Sequence, residues 1–361
     1  MLDDVIGCLA CPQCGAALSR AGSVLNCAGG HAFDIARQGY VSLLPPGGRV
    51  AAGDSAAMVQ ARVDFLTAGH YDGLAVEIAR AAAGAVTAAD AAARVAAGGV
   101  AAGCVVDVGA GPGYYLAAAL DQLPGRAGLA LDASKFALRR AAHAHGRIGA
   151  VRADAWRRLP VADRAAAVVL NVFAPRNGAE LRRILDPSGR LIVVTPNREH
   201  LSELVGPLEL LVVDPRKDER LAGTLSPYFE PAERRQYGAA LHLERRDIAA
   251  AVAMGPTARH ADPATLADRI RRLPGSMPVT VSVTLSTFRP AARWHGPGGD
   301  TGSRASAVLS QPTGKGNRAD GPDRRHLAQG FHQWCDRRGE RGGRDRAWHQ
   351  GGQRPSHRHA R

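Results

Sequence analysis

The chain has 361 residues, of which 45% are hydrophobic, and a formal net charge of +13. This length predicts two or three structural units that can bury a sizeable core. No stretch approaches the roughly 20 uninterrupted apolar residues of a membrane helix, and the N-terminus MLDDVIGCLACP lacks the basic segment and apolar run of a secretory signal.

Most of the positive charge lies in the C-terminal part. Residues 289–361 contain 15 Lys and Arg against 6 Asp and Glu, so they carry +9 and residues 1–288 carry only +4. The net charge alone is therefore a poor argument for nucleic-acid binding. Four of the six cysteines fall within the first 27 residues, which favours metal binding in a reducing compartment, by default the cytoplasm, over a disulfide framework.

Residues 1–45 are predicted to form a small zinc-binding module. Three cysteines and a histidine follow the spacing C-x2-C-x12-C-x3-H, namely Cys11, Cys14, Cys27 and His31. This spacing is typical of a tetrahedral zinc site, and four protein ligands leave no open position, so the site is structural. Cys8 offers a competing C-x2-C pair and an iron–sulfur cluster is the rival, but His31 fits zinc better, and we place Cys8 outside the site. Short β-prone segments, SVLNC and YVSLL, precede the break at Pro45-Pro46.

Residues 46–102 are predicted to form a helical connection. Asp54 and Ser55 are candidate helix caps, and apolar residues follow at helical spacing over residues 54–83. Residues 81–102 are mostly alanine with glycine breaks, which predicts the end of a helix and a loosely specified connection.

Residues 103–289 alternate between apolar strands and helices, which predicts an α/β domain with a parallel sheet covered on both faces. Five strands are predicted, in CVVDVG, RAGLALD, RIGAVRAD, AAAVVLNVF and GRLIVVTP. Helices are predicted in YYLAAAL, from Ser134, in GAELRRILD, and around 246–254 and 263–273. The last segment, MPVTVSVTLSTF, alternates and predicts an edge strand that completes the sheet. Residues 290–361 are rich in Gly, Arg, His and Pro without apolar periodicity, which predicts a disordered basic tail; an RNA-affinity tail is the alternative.

The segment VVDVGAGPGYYLAAAL carries the most specific signal for a cofactor. It places Asp107, Gly109, Gly111 and Gly113 between a strand and a helix, in the pattern D-x-G-x-G-x-G. Glycines let the backbone approach a ligand closely, whereas an acid here repels a dinucleotide diphosphate and attracts a methionine ammonium. Asp132 ends the next strand, in position to accept from ribose hydroxyls, and Asp154 ends the third, within reach of an adenine amino group. Together they predict a Rossmann-like fold that binds S-adenosylmethionine.

These motifs together resemble the bacterial 23S rRNA (guanine-N1)-methyltransferase family, which includes the tylosin-resistance members. The resemblance covers roughly residues 8–289 and lies in CPQCG, C-x3-H-x-FD, QGYVSLLP, GDSAAMVQAR, FLTAGHY, DVGAGPGYY and TPNREHL. It implies a Rossmann-like S-adenosylmethionine-dependent methyltransferase with an N-terminal zinc module that recognises RNA. It also implies 23S rRNA as the partner and a homodimer, with no membrane association.

The resemblance assigns roles to individual positions. Cys11, Cys14, Cys27 and His31 match the family's zinc ligands, and Tyr71, Gly111, Pro112 and His200 match positions associated with the cofactor. From the residues alone, Tyr71 is equally consistent with a core aromatic, and His200 with a helix-capping or surface histidine.

The implied reaction transfers a methyl group to N1 of a guanine in a domain II hairpin of 23S rRNA. An in-line displacement depends on positioning, and a proton acceptor should assist loss of the N1 proton; the sequence identifies no such base. Asn171, at the fourth strand end, is a candidate for the substrate pocket, and Arg176 is interpreted as a surface charge or a phosphate contact. A natural-product methyltransferase with a structural zinc module is the alternative, and a non-enzymatic RNA adaptor is a more distant one.

Overall fold

The computed structural model describes residues 1–45, 53–97, 103–210, 217–254 and 262–292. Pro46, residues 98–102 of the predicted connection and the predicted tail from residue 293 onwards lie outside these ranges. None of the described helices combines the length and the apolar character needed to span a membrane.

The N-terminal part begins with a single helical turn, followed by four short strands. These elements are α1 (Leu2–Val5), β1 (Leu18–Ala21), β2 (Val24–Cys27), β3 (Ala32–Asp34) and β4 (Tyr40–Ser42). Strands β1, β2 and β3 form an antiparallel sheet of their own. Strand β4, although it lies within the predicted module of residues 1–45, pairs in parallel with a strand of the main sheet.

Nine further helices are seen in the described ranges. They are α2 (Ala56–Thr67), α3 (Asp72–Ala97), α4 (Tyr114–Asp121), α5 (Lys135–Ala141), α6 (Gly178–Ile184), α7 (Ser202–Leu208), α8 (Lys217–Leu225), α9 (Arg245–Ala253) and α10 (Pro263–Arg272). The predicted cap at Ser55 is confirmed, and the helix predicted from Ser134 begins with Ser134 as its cap, because each hydroxyl accepts a backbone N–H of the first turn. Helix α3 extends to Ala97, within the stretch 81–102 in which a helix end is predicted, and its many alanines have the highest helix propensity.

The remaining strands belong to the main sheet. They are β5 (Cys104–Val108), β6 (Gly128–Asp132), β7 (Ile148–Arg152), β8 (Ala166–Val172), β9 (Leu185–Pro196), β10 (Phe229–Glu244) and β11 (Ser276–Pro290). The eight strands follow the order β10-β11-β9-β8-β5-β6-β7-β4. The five predicted strands run parallel to one another as expected, and β10 and β11 add an antiparallel pair. The predicted α/β class with a Rossmann-like parallel sheet is confirmed.

The prediction that β11 is the edge strand is wrong. Strand β11 lies between β9 and β10, and β10 forms the edge. Residues 231–236 of β10 are all exposed to solvent and have no apolar alternation, whereas Tyr237, Ala239, Leu241 and Leu243 alternate towards the core. The period-two signal is therefore confined to the second half of the strand.

Successive residues of the central strands contribute to two separate hydrophobic clusters. Val105 and Leu170 pack with helices α3 and α4 on one face, and Val106 and Val169 pack on the other. The second cluster also contains residues of the N-terminal part, such as Leu25. The N-terminal part therefore covers one face of the main sheet.

Candidate functional site

The loop between β5 and α4 is shaped by its three glycines. Gly109, Gly111 and Gly113 have φ values of 82°, 55° and 84°, in the left-handed region that favours glycine. The backbone N–H of Gly109 donates to the Leu131 carbonyl at 2.8 Å. Pro112 lies within the same turn. The loop is thereby held at the carboxyl edge of the sheet, where ligands bind in open α/β folds.

Asp107 is a buried carboxyl group at the start of this loop. Its exposure is 1%, and neither of its oxygens has a hydrogen-bond partner among the described residues. Burial, with the neighbouring Asp132 carboxylate, raises the pKa of Asp107 to about 8. An unpartnered buried carboxyl group is costly, and the ammonium of a bound methionine moiety fits it. The loop and Asp107 therefore fit S-adenosylmethionine.

Asp132 and Asp154 lie at the carboxyl ends of neighbouring strands, as predicted, and both are buried. Asp132 accepts the N–H of Gly111 at 2.9 Å and the N–H of Ser134 at 2.7 Å, so it joins the glycine loop to the turn before α5. Asp154 accepts the N–H of Trp156 at 3.0 Å. Their contacts with ribose and adenine remain predictions.

Tyr71 and His200 are 129 positions apart in the sequence but lie in direct contact. The Tyr71 hydroxyl and His200 Nε2 are 3.1 Å apart. His200 Nδ1 accepts the backbone N–H of Ser282 in β11 at 3.2 Å, which places the proton of the neutral ring on Nε2 as the donor to Tyr71. Burial raises the pKa of Tyr71 above its ordinary value. In this arrangement His200 Nε2 cannot accept the guanine N1 proton.

Phe173, which the sequence did not single out, joins this aromatic cluster. Its ring centroid is 6.4 Å from that of Tyr71, 5.9 Å from that of His200 and 6.4 Å from that of Tyr115. Its backbone has a φ of 53°, unusual for a bulky residue. Such a conformation costs about 1–3 kcal/mol and is concentrated at functional sites.

Asn171 and Arg176 flank Phe173 and are hydrogen-bonded to each other. Asn171 is fully buried, and its amide donates to the carbonyls of Val108 and Pro175 at 3.2 and 2.9 Å. Its oxygen accepts Arg176 Nε at 3.0 Å. Asn171 therefore fixes the loop after β8, and the interpretation of Arg176 as a surface charge is wrong because its guanidinium is half-buried and held by this loop.

The predicted zinc ligands converge at one point. The ligand atoms of Cys11, Cys14, Cys27 and His31 all lie within 4.8 Å of one another. Cys14 Sγ is 3.6 Å from Cys27 Sγ, and His31 Nδ1 is 3.3 Å from Cys27 Sγ. A tetrahedral zinc with Zn–S bonds of about 2.3 Å separates two sulfurs by about 3.8 Å, so the donor set fits structural Zn²⁺.

Two glycines shape the turns that carry the zinc ligands, and Cys8 lies outside the ligand cluster. Gly15 and Gly30 have φ values of 76° and 78°, and their N–H groups donate to the carbonyls of Cys11 and Cys27. Cys8 does not belong to the cluster of ligand atoms. The Cys8 thiol lies 3.6 Å from the carbonyl of Ala165, which directly precedes β8.

Comparisons with known proteins support an N-terminal zinc ribbon and a methyltransferase. Residues 9–47 match the family model of the RlmA N-terminal zinc ribbon. The chain is 47% identical over 290 residues to the 23S rRNA (guanine(748)-N(1))-methyltransferase of Streptomyces fradiae, covering 80% of this chain and 99% of that protein. It is 50% identical over 300 residues to a protein of Micromonospora griseorubida that is provisionally named a 23S rRNA (guanine-N(1)-)-methyltransferase, covering 80% of this chain and all of that protein.

Solved structures are more distantly similar. The match to a provisionally described methyltransferase from Bacillus halodurans covers 55% of this chain and 97% of that chain, with 16% identity and a TM-score of 0.37. The identity to the Streptomyces fradiae protein, over almost the full length of that protein, is high enough to show the family of this chain. The chain belongs to the bacterial 23S rRNA (guanine-N1)-methyltransferase family.

Proposed function

We propose that this protein transfers a methyl group from S-adenosylmethionine to N1 of a guanine in a domain II hairpin of 23S rRNA. One observation of the structure carries the proposal. The buried Asp107 carboxyl group, which has no hydrogen-bond partner among the described residues, lies beside a loop of three left-handed glycines. It is the counter-charge that a methionine ammonium needs, and family membership supplies the rRNA substrate.

The residues divide the work between cofactor and RNA. S-adenosylmethionine supplies a methyl group activated by its sulfonium. Asp107 and the glycine loop hold the methionine end, Asp132 and Asp154 hold the ribose and adenine, and Tyr71 and His200 close the pocket. The target base must leave its stack before N1 is accessible, and we assign its recognition to the zinc module together with a basic cleft.

The target that we propose is the guanine equivalent to position 748, because the chain is 47% identical to a protein named for that nucleotide. Such an activity links the protein to tylosin resistance. We also propose that it acts in the cytoplasm, where its substrate is assembled, and that it forms a homodimer as the family resemblance implies. Light scattering of the purified protein tests the dimer.

Mapping the methylated nucleotide tests the function. Unmodified 23S rRNA is incubated with the protein and labelled S-adenosylmethionine, and the product is digested and sequenced. We expect 1-methylguanine at the position equivalent to 748. Label on a different guanine N1 would overturn the choice of target, and label on no guanine N1 would overturn the function.

The alternative, a natural-product methyltransferase, is not favoured by the relatives. Salt dependence separates the two. Binding of rRNA weakens steeply as the salt concentration rises, because counterions are released from the phosphates. Binding of a small neutral substrate lacks this dependence.

A further inference from the structure

The loop after β8 holds a positively charged group close to the predicted cofactor site. The Asn171 amide donates to the carbonyl of Val108, at the end of β5, and to that of Pro175, in the loop after β8. The Asn171 oxygen accepts Arg176 Nε. Arg176 Nη2 also donates to the Ala174 carbonyl at 3.2 Å. The guanidinium is therefore held in one orientation rather than extended into solvent.

This guanidinium has no counter-charge in the described part of the chain. No described carboxylate lies within 4.0 Å of it, and its Nη1 has no acceptor there. Burial lowers the pKa of Arg176 to about 10, with no charged neighbour contributing. A fixed and partly desolvated guanidinium is a strong binding site for an anionic oxygen.

The loop that carries Arg176 lies next to residues of the proposed cofactor site. Phe173, three residues earlier in the same loop, contacts the rings of both Tyr71 and His200. Val108, whose carbonyl anchors Asn171, immediately precedes the glycine loop. The loop that carries Arg176 therefore borders both the aromatic cluster and the glycine loop.

Guanine becomes a better nucleophile when N1 loses its proton. The N1–H bond breaks, the proton passes to water, and the negative charge is shared between N1 and O6. The N1 lone pair then forms a bond to the methyl carbon, and the carbon–sulfur bond breaks with its electron pair remaining on sulfur. A cation at O6 stabilises the charge where it develops and favours the loss of the proton.

We propose that Arg176 binds O6 of the target guanine and stabilises the negative charge that forms there when N1 loses its proton. This assignment rests on the proposed function. Asn171 acts through Arg176 and is a positioning residue, while Arg176 touches the reacting base.

The test compares Arg176→Gln with the wild-type protein in single-turnover methyl transfer at saturating rRNA and cofactor. We expect the rate at neutral pH to fall about 10²-fold, as for the loss of one oxyanion donor. The rising limb of the pH–rate profile should move to higher pH, so that alkaline conditions recover part of the rate. Arg176→Lys keeps the positive charge and should lose less.

Two controls separate this role from others. Arg80→Gln removes an exposed arginine on α3 and should leave the profile unchanged. Cofactor binding by Arg176→Gln, measured by calorimetry, reports whether the variant is folded; if it is not, Arg176→Lys is compared with the wild type instead, and its profile must shift in the same direction.

Three results would overturn the proposal. The first is that folded Arg176→Gln has the same rate and the same pH–rate profile as the wild-type protein at saturating RNA. The second is a loss confined to RNA affinity, with a salt dependence reduced by about one phosphate, which would make Arg176 a phosphate contact. The third applies if Arg176→Gln does not fold, and it is a pH–rate profile of Arg176→Lys that is not shifted from that of the wild type. A wild-type protein that forms no 1-methylguanine overturns the proposed function itself, independently of any variant.

Discussion

The zinc cluster and the cofactor site are assembled in different ways. All four zinc ligands come from one segment, in which Cys11 and His31 are 20 positions apart. The proposed cofactor site brings Tyr71 to His200 across 129 positions, and Asp107 belongs to it from a third element. The first site is held by bonds to a metal, whereas the second is held by the packing of a sheet.

This difference determines how each site should respond to damage. A metal site whose ligands are close in sequence loses its structure when one ligand is lost, because metal binding is part of its folding free energy. A site distributed over a buried sheet tolerates the loss of one side chain, since the strands that position the others remain packed.

Replacing one zinc ligand should have the largest structural effect. Structural zinc contributes about 10–16 kcal/mol of binding free energy in zinc-finger peptides. We therefore expect Cys14→Ser to lose zinc, to disorder the β1–β3 sheet and to abolish methylation of 23S rRNA, while S-adenosylmethionine binding changes little. Metal analysis, hydrogen exchange and calorimetry measure the three outcomes.

Cys8→Ser is the matched control, because Cys8 lies outside the cluster of ligand atoms. This variant should retain one zinc ion per chain. A parallel loss of cofactor affinity in Cys14→Ser would contradict the separation of the two sites and would mean that the zinc module supports Tyr71.

Removing the Asp107 charge should affect binding and stability in opposite directions. We expect Asp107→Asn to weaken S-adenosylmethionine binding at least about 100-fold, as expected for loss of a desolvated charge pair. Since the folded protein raises the pKa of Asp107 to about 8, the stability of the ligand-free protein falls as pH rises from about 4 towards 8.

Asp107→Asn removes this penalty and should stabilise the ligand-free protein by roughly 3 to 5 kcal/mol at neutral pH. Urea unfolding measures the change. Below about pH 4, where the carboxyl is protonated in both states, the two proteins should be equally stable. Wild-type affinity in Asp107→Asn would contradict the pairing with the ammonium.

Cofactor binding should release a proton. Asp107 is mostly protonated at neutral pH in the ligand-free protein, and pairing with an ammonium requires its ionised form. Affinity should therefore increase with pH up to about 8 and then level off. Calorimetry in buffers of different ionisation enthalpy should show close to one proton released at neutral pH, and none in Asp107→Asn if that variant still binds. An affinity independent of pH would contradict the raised pKa.

Removing the Tyr71 hydroxyl should have the smallest effect. Tyr71→Phe keeps the ring packed against Phe173 and removes only the acceptor for His200 Nε2. Loss of one hydrogen bond costs about 1 kcal/mol, so we expect cofactor affinity to fall about fivefold. Tyr228→Phe is the control, because Tyr228 packs near Gly178 and away from the cluster; an equal loss in both variants would contradict a specific role for the hydroxyl.

Much of both sites could be predicted from local sequence. The zinc ligands follow from their spacing, because two tight glycine turns place each pair of ligands. The glycine loop and the acids at residues 107, 132 and 154 follow from apolar runs that end in polar residues, since parallel strands bring their carboxyl ends to one edge. These features depend on backbone conformation over a few residues, which the amino-acid types largely determine.

Other features of the fold and of the candidate site depend on tertiary structure, and no local sequence pattern indicates them. The edge strand β10 is exposed over residues 231–236, so only its second half alternates towards the core. The Tyr71–His200 contact, the left-handed Phe173 and the Arg176 guanidinium held by Asn171 arise when β8, β9 and β11 pack beside β5. The sequence by its local patterns predicted the five parallel strands, the zinc ligands and the glycine loop, because those depend on short-range chemistry. Packing between distant segments decided which side chains meet beside that loop, because contacts over long sequence separations form only in the folded sheet.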